Sequence, residues 1–373
     1  MASRRRALSL LILLFAGAGV AWAAWWQVVG RHYESTDNAY VAGNLVEVTS
    51  QVAGTVIAIG ADDTERVEAG QVLVRLDPAD ARMALEQAEA ELARAVRDAR
   101  TLYATNLSLE ANVRVRQAEL QRAEEFVARR TALAGQGVVS REDYDNARSG
   151  AAAARAALAS AREQLATNQV RTERVRVEDQ PGVLGAAARV REAWLALRRT
   201  EVPAPVSGML ARRSVQVGQR VAPGAPLMVV VPLEQVWVDA NFKEVQLRDM
   251  RIGQPVRLSA DLYGGEVQFR GKVAGLAAGT GGAFALLPPQ NATGNWIKVV
   301  QRLPVRIALD AEELRRHPLR IGLSMRAEVE IRDKSGRQLA SAPRSGTAYA
   351  TEAFAASPAE AEARVRAIIA AHR

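Results

Sequence analysis

The chain has 373 residues, 49% of them hydrophobic and 24% charged, which excludes a disordered chain and leaves room for two or three domains. It contains no cysteine, so disulfides, thiol catalysis and thiolate metal sites are excluded. The net charge of +8 raises nucleic acid as a partner. Lysine occurs only at Lys243, Lys272, Lys298 and Lys334, however, and the arginines of the middle region alternate with Glu and Asp as on a solvated helical face. No aromatic-basic cluster offers a base-stacking platform, so no nucleic-acid partner is expected.

The N-terminal "MASRRR" precedes 23 uncharged residues, Ala7 to Val29, enough to cross a hydrocarbon core of about 30 Å as a helix. Arg4, Arg5 and Arg6 flank this anchor on the cytoplasmic side by the positive-inside rule, and Trp25 and Trp26 sit where an interfacial aromatic belt belongs. Ala21-Trp22-Ala23 resembles a signal-peptide cleavage site, but the apolar run continues past it, which favours an uncleaved anchor over 7–29. Residues 30–44, with "ESTDNAYV" from Glu34 to Val41, are expected to form a membrane-proximal module that pairs with a strand following the barrel.

Two Val/Gly-rich segments then align without gaps at an offset of 154 residues. Val48 matches Val202, Val52 matches Val206, Gly54 matches Gly208, and Arg66-Val67 matches Arg220-Val221. Gly70, Leu73 and Pro78 match Gly224, Leu227 and Pro232. Glycines at fixed places permit tight turns, and alternating Val and Leu face a shared core. Residues 45–79 and 201–233 therefore read as two halves of one lipoyl-like β-sandwich. A lipoyl or biotinyl arm needs a lysine in the exposed turn, and the first lysine of the chain, Lys243, lies beyond both halves. Carrier chemistry is excluded and no cofactor is expected.

Between the halves the apolar period changes from 2 to 3.5. Leu85, Ala88, Leu92, Ala95, Ala99, Leu102, Asn106, Leu109, Val113, Arg116, Leu120, Ala123 and Val127 follow the a and d positions of a heptad. After "LAGQGVVSRED" the pattern resumes at Tyr144, Ala147, Ala151, Ala154, Leu158, Ala161, Leu165, Asn168, Thr172 and Val175. Sustained heptads argue for a coiled coil. Gly135 and Gly137 end one helix, and Ser140 with Asp143 starts the next as a capping box. The region 80–200 is thus an antiparallel hairpin with its tip at 133–140. Asn106 and Asn168 lie at nearly equal distance from the turn and are expected to face each other and set the register. Pro181 and Gly182 interrupt the second arm, and Val190, Trp194 and Leu197 line one face of a short resumed helix.

Residues 234–333 carry five strand-like runs between Gly and Pro signals: "VWVDANF", "PVRLSAD", "VQFRGKVAGLA", "LPVRIALD" and "MRAEVEIRD". "RIGQPVRL" at Arg251 and "RIGLSMRA" at Arg320 open two of them alike, and a small barrel is the expected arrangement. The tail, 334–373, is expected to be partly mobile, with a short helix from Pro358. His32, His317 and His372 have no partner at ligand spacing, "AGTGGAF" follows no strand-to-helix phosphate pattern, and Asp37, Asp62, Asp63 and Asp77 read as turn residues. No enzymatic activity is expected.

Taken together, anchor, half-domain, hairpin, second half-domain and barrel resemble the membrane-fusion or periplasmic adaptor family (HlyD-like) of Gram-negative efflux and secretion systems. "TDNAYVAGNLVEVTSQVAGTV", "VWVDANFKEVQLRDMRIGQPV" and "LLPPQNATGNWIKVVQRLPVRI" are similar to its multidrug-resistance branch of EmrA type. The resemblance covers Thr36 to about Arg332. It implies a homo-oligomer anchored in the inner membrane with its bulk in the periplasm. The implied partners are a drug/proton antiporter of the major facilitator class and a TolC-like outer-membrane channel. The family also implies a channel-docking tip of Arg, three residues, Leu, six residues, Ser, a spacing held here by Arg129, Leu133 and Ser140. The alternatives are an adaptor for an ABC-driven type I secretion or export system and a membrane-anchored coiled-coil structural protein.

Overall fold

The computed structural model describes residues 13–20, 22, 25–28, 30–134, 140–173, 175–284, 299–339, 345–355 and 358–373. Arg4, Arg5 and Arg6, the tip glycines Gly135 and Gly137, and most of "LLPPQNATGNWIKVV" lie outside these residues. The architecture is mixed α and β: an apolar N-terminal helix, a closed β-barrel, a split β-sandwich and a long helical hairpin.

The sandwich is built from β2 (Val46–Thr49), β3 (Gly54–Ile59), β4 (Arg66–Val67) and β5 (Val72–Leu76) of the first half. The second half supplies β6 (Glu201–Pro203), β7 (Gly208–Arg213), β8 (Arg220–Val221) and β9 (Pro226–Val231). One sheet has the order β2-β9-β7-β4 and the other β6-β5-β3-β8. Each sheet draws two strands from each half, and the 154-residue offset converts one order into the other. Neither half can close its own sheet, which is why the apolar alternation appears twice in the sequence. The joints obey the same symmetry: Gly70 N donates to Ala204 O at 2.9 Å, and Gly224 N donates to Ser50 O at 2.7 Å. Both glycines sit at positive φ, +85° and +81°, where an L side chain is strained. Val48, Leu73, Leu210, Leu227 and Met228 are buried in the shared core, with Val52 and Val206 packed against it.

The barrel corrects one expectation. The five expected runs become β10 (Trp237–Lys243), β11 (Pro255–Ala260), β12 (Gln268–Leu276), β13 (Arg302–Leu309) and β14 (Ser324–Glu330). The sixth strand is β1 (Tyr33–Ala42), and the closed order is β1-β10-β13-β12-β11-β14. "ESTDNAYV" therefore belongs to the barrel itself and not to a separate membrane-proximal module. The physical reason is the edge: without β1, β10 and β14 would each present a row of unpaired backbone groups. β1 takes both, with Ala39 opposite Ala240 and Tyr33 opposite Glu330. Its inward residues Thr36, Ala39 and Val41 are buried, and Thr36 Oγ1 donates to Asn241 O at 3.0 Å. Phe242, Phe269, Leu258, Ile307 and Met250 fill the interior.

The hairpin consists of α1 (Ala79–Ala134), α2 (Arg141–Thr172) and α3 (Pro181–Arg198). At ~1.5 Å per residue the 56 residues of α1 extend about 84 Å. The second arm is spliced at the expected break, and Pro181 occupies the first turn of α3, where its missing N–H costs nothing. Between the pieces, Gln180 is buried; its Nε2 donates to Tyr103 Oη at 3.0 Å and to Arg171 O at 2.9 Å.

The tail carries its helix where the sequence placed it, from Pro358. A short helix α4 (Ala311–Arg316) belongs to the barrel, and the final helix α5 (Pro358–His372) packs on α1 and α3. Val365 and Ala361 are buried beside Leu92, Val96, Val190 and Trp194. Glu362 pairs with Arg191 at 2.9 Å, and Arg364 pairs with Glu89. The described tail helix is thus a docked part of the hairpin root, because its Ala361, Val365, Ile368 and Ile369 stripe meets an apolar face that α1 and α3 leave open.

Candidate functional site

The candidate site is the hairpin and its mount. Its root is fixed by the sandwich, because α1 follows β5 through Asp77-Pro78 and α3 leads into β6 through Arg199-Thr200. Asp77 Oδ1 accepts from Ala79 N at 3.0 Å and so starts α1. Thr200 O accepts from Leu76 N at 2.8 Å, which ties the two exits together. Gly208 makes the second half close-fitting: a Cβ there would lie 2.3 Å from Val231 O. At the equivalent Gly54 the nearest atoms to a Cβ would be Leu76 side-chain atoms, the closest at 3.1 Å. Next to the mount, the Arg213 guanidinium hydrogen-bonds Asp62 at 2.8 Å and holds its carboxyl below the usual carboxylate range.

Half-way along, α1 and α2 meet through a polar layer. Asn168 Nδ2 donates to Asn106 Oδ1 at 2.8 Å and to Leu102 O at 3.0 Å. Asn106 Nδ2 donates to Thr172 Oγ1 at 2.5 Å. Thr172 is buried, and sequence reasoning placed it on the seam without seeing it as the third member of this layer. Around it the seam consists of alanine and leucine: Ala147, Ala151, Leu158 and Ala161 are buried. Ion pairs clasp the outer edges, Glu124 with Arg155 at 2.6 Å and Glu91 with Arg189 at 2.8 Å. Arg189 lowers the pKa of Glu91 through that hydrogen bond.

At the far end, Arg129 is 65% exposed at its side chain and stands 3.9 Å from Glu125. Leu133 is 41% exposed. Ser140 caps α2: its Oγ accepts from Asp143 N at 3.1 Å and donates to Asp143 Oδ2 at 2.8 Å. Residues 135–139, which join Leu133 to Ser140, lie outside the described residues. Two neighbours were missed by the spacing pattern. Phe126 is 43% exposed, and the Arg130 guanidinium lies 4.9 Å from its ring centre and 3.9 Å from Asp143. With Asn146 and Ala147 they line a shallow groove between the arms. The missed signal was an aromatic three and four residues before the arginines of a helix end. Among the described residues, no cluster of His, Asp or Glu could hold a metal.

Comparison with known proteins bears on the whole chain. The family model described as "EMRA, alpha-helical hairpin domain" matches residues 79–200, which are the hairpin. The multidrug export protein EmrA of Escherichia coli (strain K12) is 49% identical over 326 residues, 87% of this chain and 84% of its own. The chain belongs to the EmrA branch of the membrane-fusion, or periplasmic adaptor, family. A multidrug export protein EmrA from Haemophilus influenzae is 44% identical over 98% of this chain and 94% of its own. The fatty acid resistance protein FarA of Neisseria gonorrhoeae is 52% identical over 88% of this chain and 83% of its own.

Proposed function

We propose that the chain is the adaptor subunit of a tripartite multidrug efflux pump. It links an inner-membrane antiporter of the major facilitator class to a TolC-like outer-membrane channel, working as a homo-oligomer. The single observation that carries this reading is the mount: both arms of a hairpin about 84 Å long leave one small sandwich at a hydrogen-bonded joint, so the tip is held at a set distance from the root. The apolar helix over Leu13–His32 supports anchoring in the inner membrane, with the remaining chain in the periplasm. The relatives named for multidrug export and fatty acid resistance support hydrophobic compounds as cargo.

At the tip, Arg129 supplies a forked donor for channel carboxylates or carbonyls, and Leu133 fills an apolar groove. Ser140 is occupied as a helix cap, so its part in docking is to hold the first turn of α2 in place. Energy comes from the transporter.

The experiment has two readouts. Deleting the gene is expected to sensitise cells to hydrophobic uncouplers, and unchanged sensitivity and export would sink the efflux reading. The chain has no native cysteine, so single cysteines at Arg129 and at Phe126 report contacts directly. Crosslinks to an outer-membrane channel are expected from both, and none from either would remove docking at this end.

A further inference from the structure

One end of the barrel, where β1 begins and β14 ends, lies nearest the N-terminal helix. Four chain segments converge there. Ile331 N donates to His32 O at 2.8 Å, which joins the end of β14 to the last residue of the apolar helical stretch Leu13–His32. Gln246 Nε2 donates to Glu34 Oε2 at 2.8 Å, and Glu244 N donates to Gln301 O at 3.2 Å. Ile252 N donates to Arg337 O at 2.9 Å, while Gln254 Nε2 donates to Asp333 O at 2.7 Å. The described backbone of this rim is thus tied together by hydrogen bonds.

Several apolar side chains of the rim are exposed. Val245 is 77% exposed, Leu339 71%, Val299 59% and Val300 55%. Arg31, Arg248, Arg332 and Arg337 are exposed beside them and take part in no ion pair among the described residues. Across 30–36, 243–255, 299–302 and 330–339 there are eight basic side chains and five acidic ones. Three of the five acids are already engaged: Glu34 by Gln246, Asp249 by Lys334, and Asp333 by Ser335. A surface that carries apolar tips among guanidinium groups with no ion pair among the described residues has the chemistry of the membrane interface, where apolar side chains enter the headgroup layer and arginines meet phosphates.

Chain continuity places a bilayer within reach. Four residues separate Val28, in the apolar helix, from Tyr33, where β1 begins, a span of at most about 18 Å fully extended. We propose that this end of the barrel is itself a lipid-binding surface, seated on the headgroups of the bilayer that holds the anchor, with Val245 and Leu339 inserted and Arg248, Arg332 and Arg337 on anionic phosphates. The proposal rests on the reading of the N-terminal helix as a membrane anchor. It makes the barrel a foot that fixes the angle of the hairpin to the membrane.

The test uses the full chain reconstituted in vesicles of phosphatidylethanolamine with 30% phosphatidylglycerol. An environment-sensitive fluorophore is attached at Val245→Cys or Leu339→Cys, with Val217→Cys, 63% exposed on the sandwich, as the remote control. Headgroup-nitroxide lipid is expected to quench the first two labels at least two-fold more than the third. Removing phosphatidylglycerol, or Arg332→Gln with Arg337→Gln, is expected to weaken this contact by roughly 5-fold per lost arginine. Vesicle flotation after alkaline extraction reports the anchor separately, and failure to float defeats the anchor reading. A floating protein whose two rim labels are quenched no more than the control overturns the lipid foot. Protection of the rim only after a transporter is co-reconstituted also overturns it and assigns the surface to a protein partner.

Discussion

Replacing both asparagines of the hairpin layer separates stability from register. In Asn106→Ala, Asn168 Nδ2 keeps Leu102 O but loses its other acceptor, and Thr172 Oγ1 loses its donor. Thr172 is 6% exposed, so water does not replace that partner, whereas the half-buried Asn168 is reached by solvent. A lost neutral hydrogen bond with one group left stranded costs about 1–2 kcal/mol. In Asn106→Leu with Asn168→Leu, both halves of the polar pair go together, and the apolar area gained offsets the donor that Thr172 Oγ1 again loses. Stability is then expected to be unchanged or higher, while the alignment of the arms loses its marker. Slipping α2 against α1 by one heptad displaces it by about 10.5 Å. Spin labels in place of Glu124 and Arg155, which pair across the arms at 2.6 Å, measure this directly by electron–electron double resonance. The expected outcome is one narrow distance in the wild type and in Asn106→Ala. In the double leucine variant it becomes a broadened or two-peaked distribution, or the oligomeric state changes. A double variant with the wild-type distance and the wild-type oligomeric state would refute the register argument.

Four further outcomes follow from the mount, the root and the ion pairs. Thr64 sits at φ +71°, the one non-glycine at positive φ among the described residues, and its repeat partner Gly218 sits at +85°. Their backbone bonds are equivalent, Thr64 N to Leu210 O and Gly218 N to Val56 O, so Thr64→Gly is expected to raise the unfolding midpoint by relieving about 1 kcal/mol of strain. Gly208→Ala is expected to cost about 1–3 kcal/mol of stability and more than Gly54→Ala, since backbone at Val231 cannot retreat as the Leu76 side chain can; equal effects would contradict this. Val365→Asp removes a buried valine worth about 1.5–3 kcal/mol and puts a carboxylate in its place. Amide exchange in 358–372 should accelerate at least 10-fold while β5 and β9 stay protected, and unchanged exchange would show that α5 holds by its ion pairs alone. Asp62, Glu91, Asp249, Asp333 and Glu362 all have lowered pKa values, each caused first by a side-chain hydrogen bond. Carboxyls depressed in the folded state contribute stability that is full above the unfolded range and is lost as pH falls through their folded values. Denaturation midpoints are therefore expected to be flat from neutrality to about pH 5 and to decline below about pH 4. A midpoint that held steady down to pH 3 would count against these pairs.

What could be read from the sequence was local and periodic. The a and d residues from Leu85 to Ala99 are buried or half-buried, since a 3.5-residue period can be satisfied in only one way by a helix with a partner. The two sandwich halves declared themselves through the shared offset, because a pseudo-twofold needs the same turn glycines and core positions in both. The candidate tip was legible only as a spacing: Arg129 and Leu133 are exposed, while Phe126 and Arg130 came into view once both arms were in place.

The sequence by itself determined the anchor-length apolar run, the missing carrier lysine, the repeat and the heptads, all of which depend on residues near one another in the chain. Tertiary structure alone decided the closure of the barrel and the seat of the tail. β1 lies some 200 residues before β10 and nearly 300 before β14, and an alternating strand carries no mark of which distant edge it will pair with. α5 shows an apolar stripe, but the face that receives it is assembled from α1 and α3, about 160 to 280 residues earlier. Both outcomes follow from unpaired backbone or uncovered apolar surface that exists only after the other elements have packed.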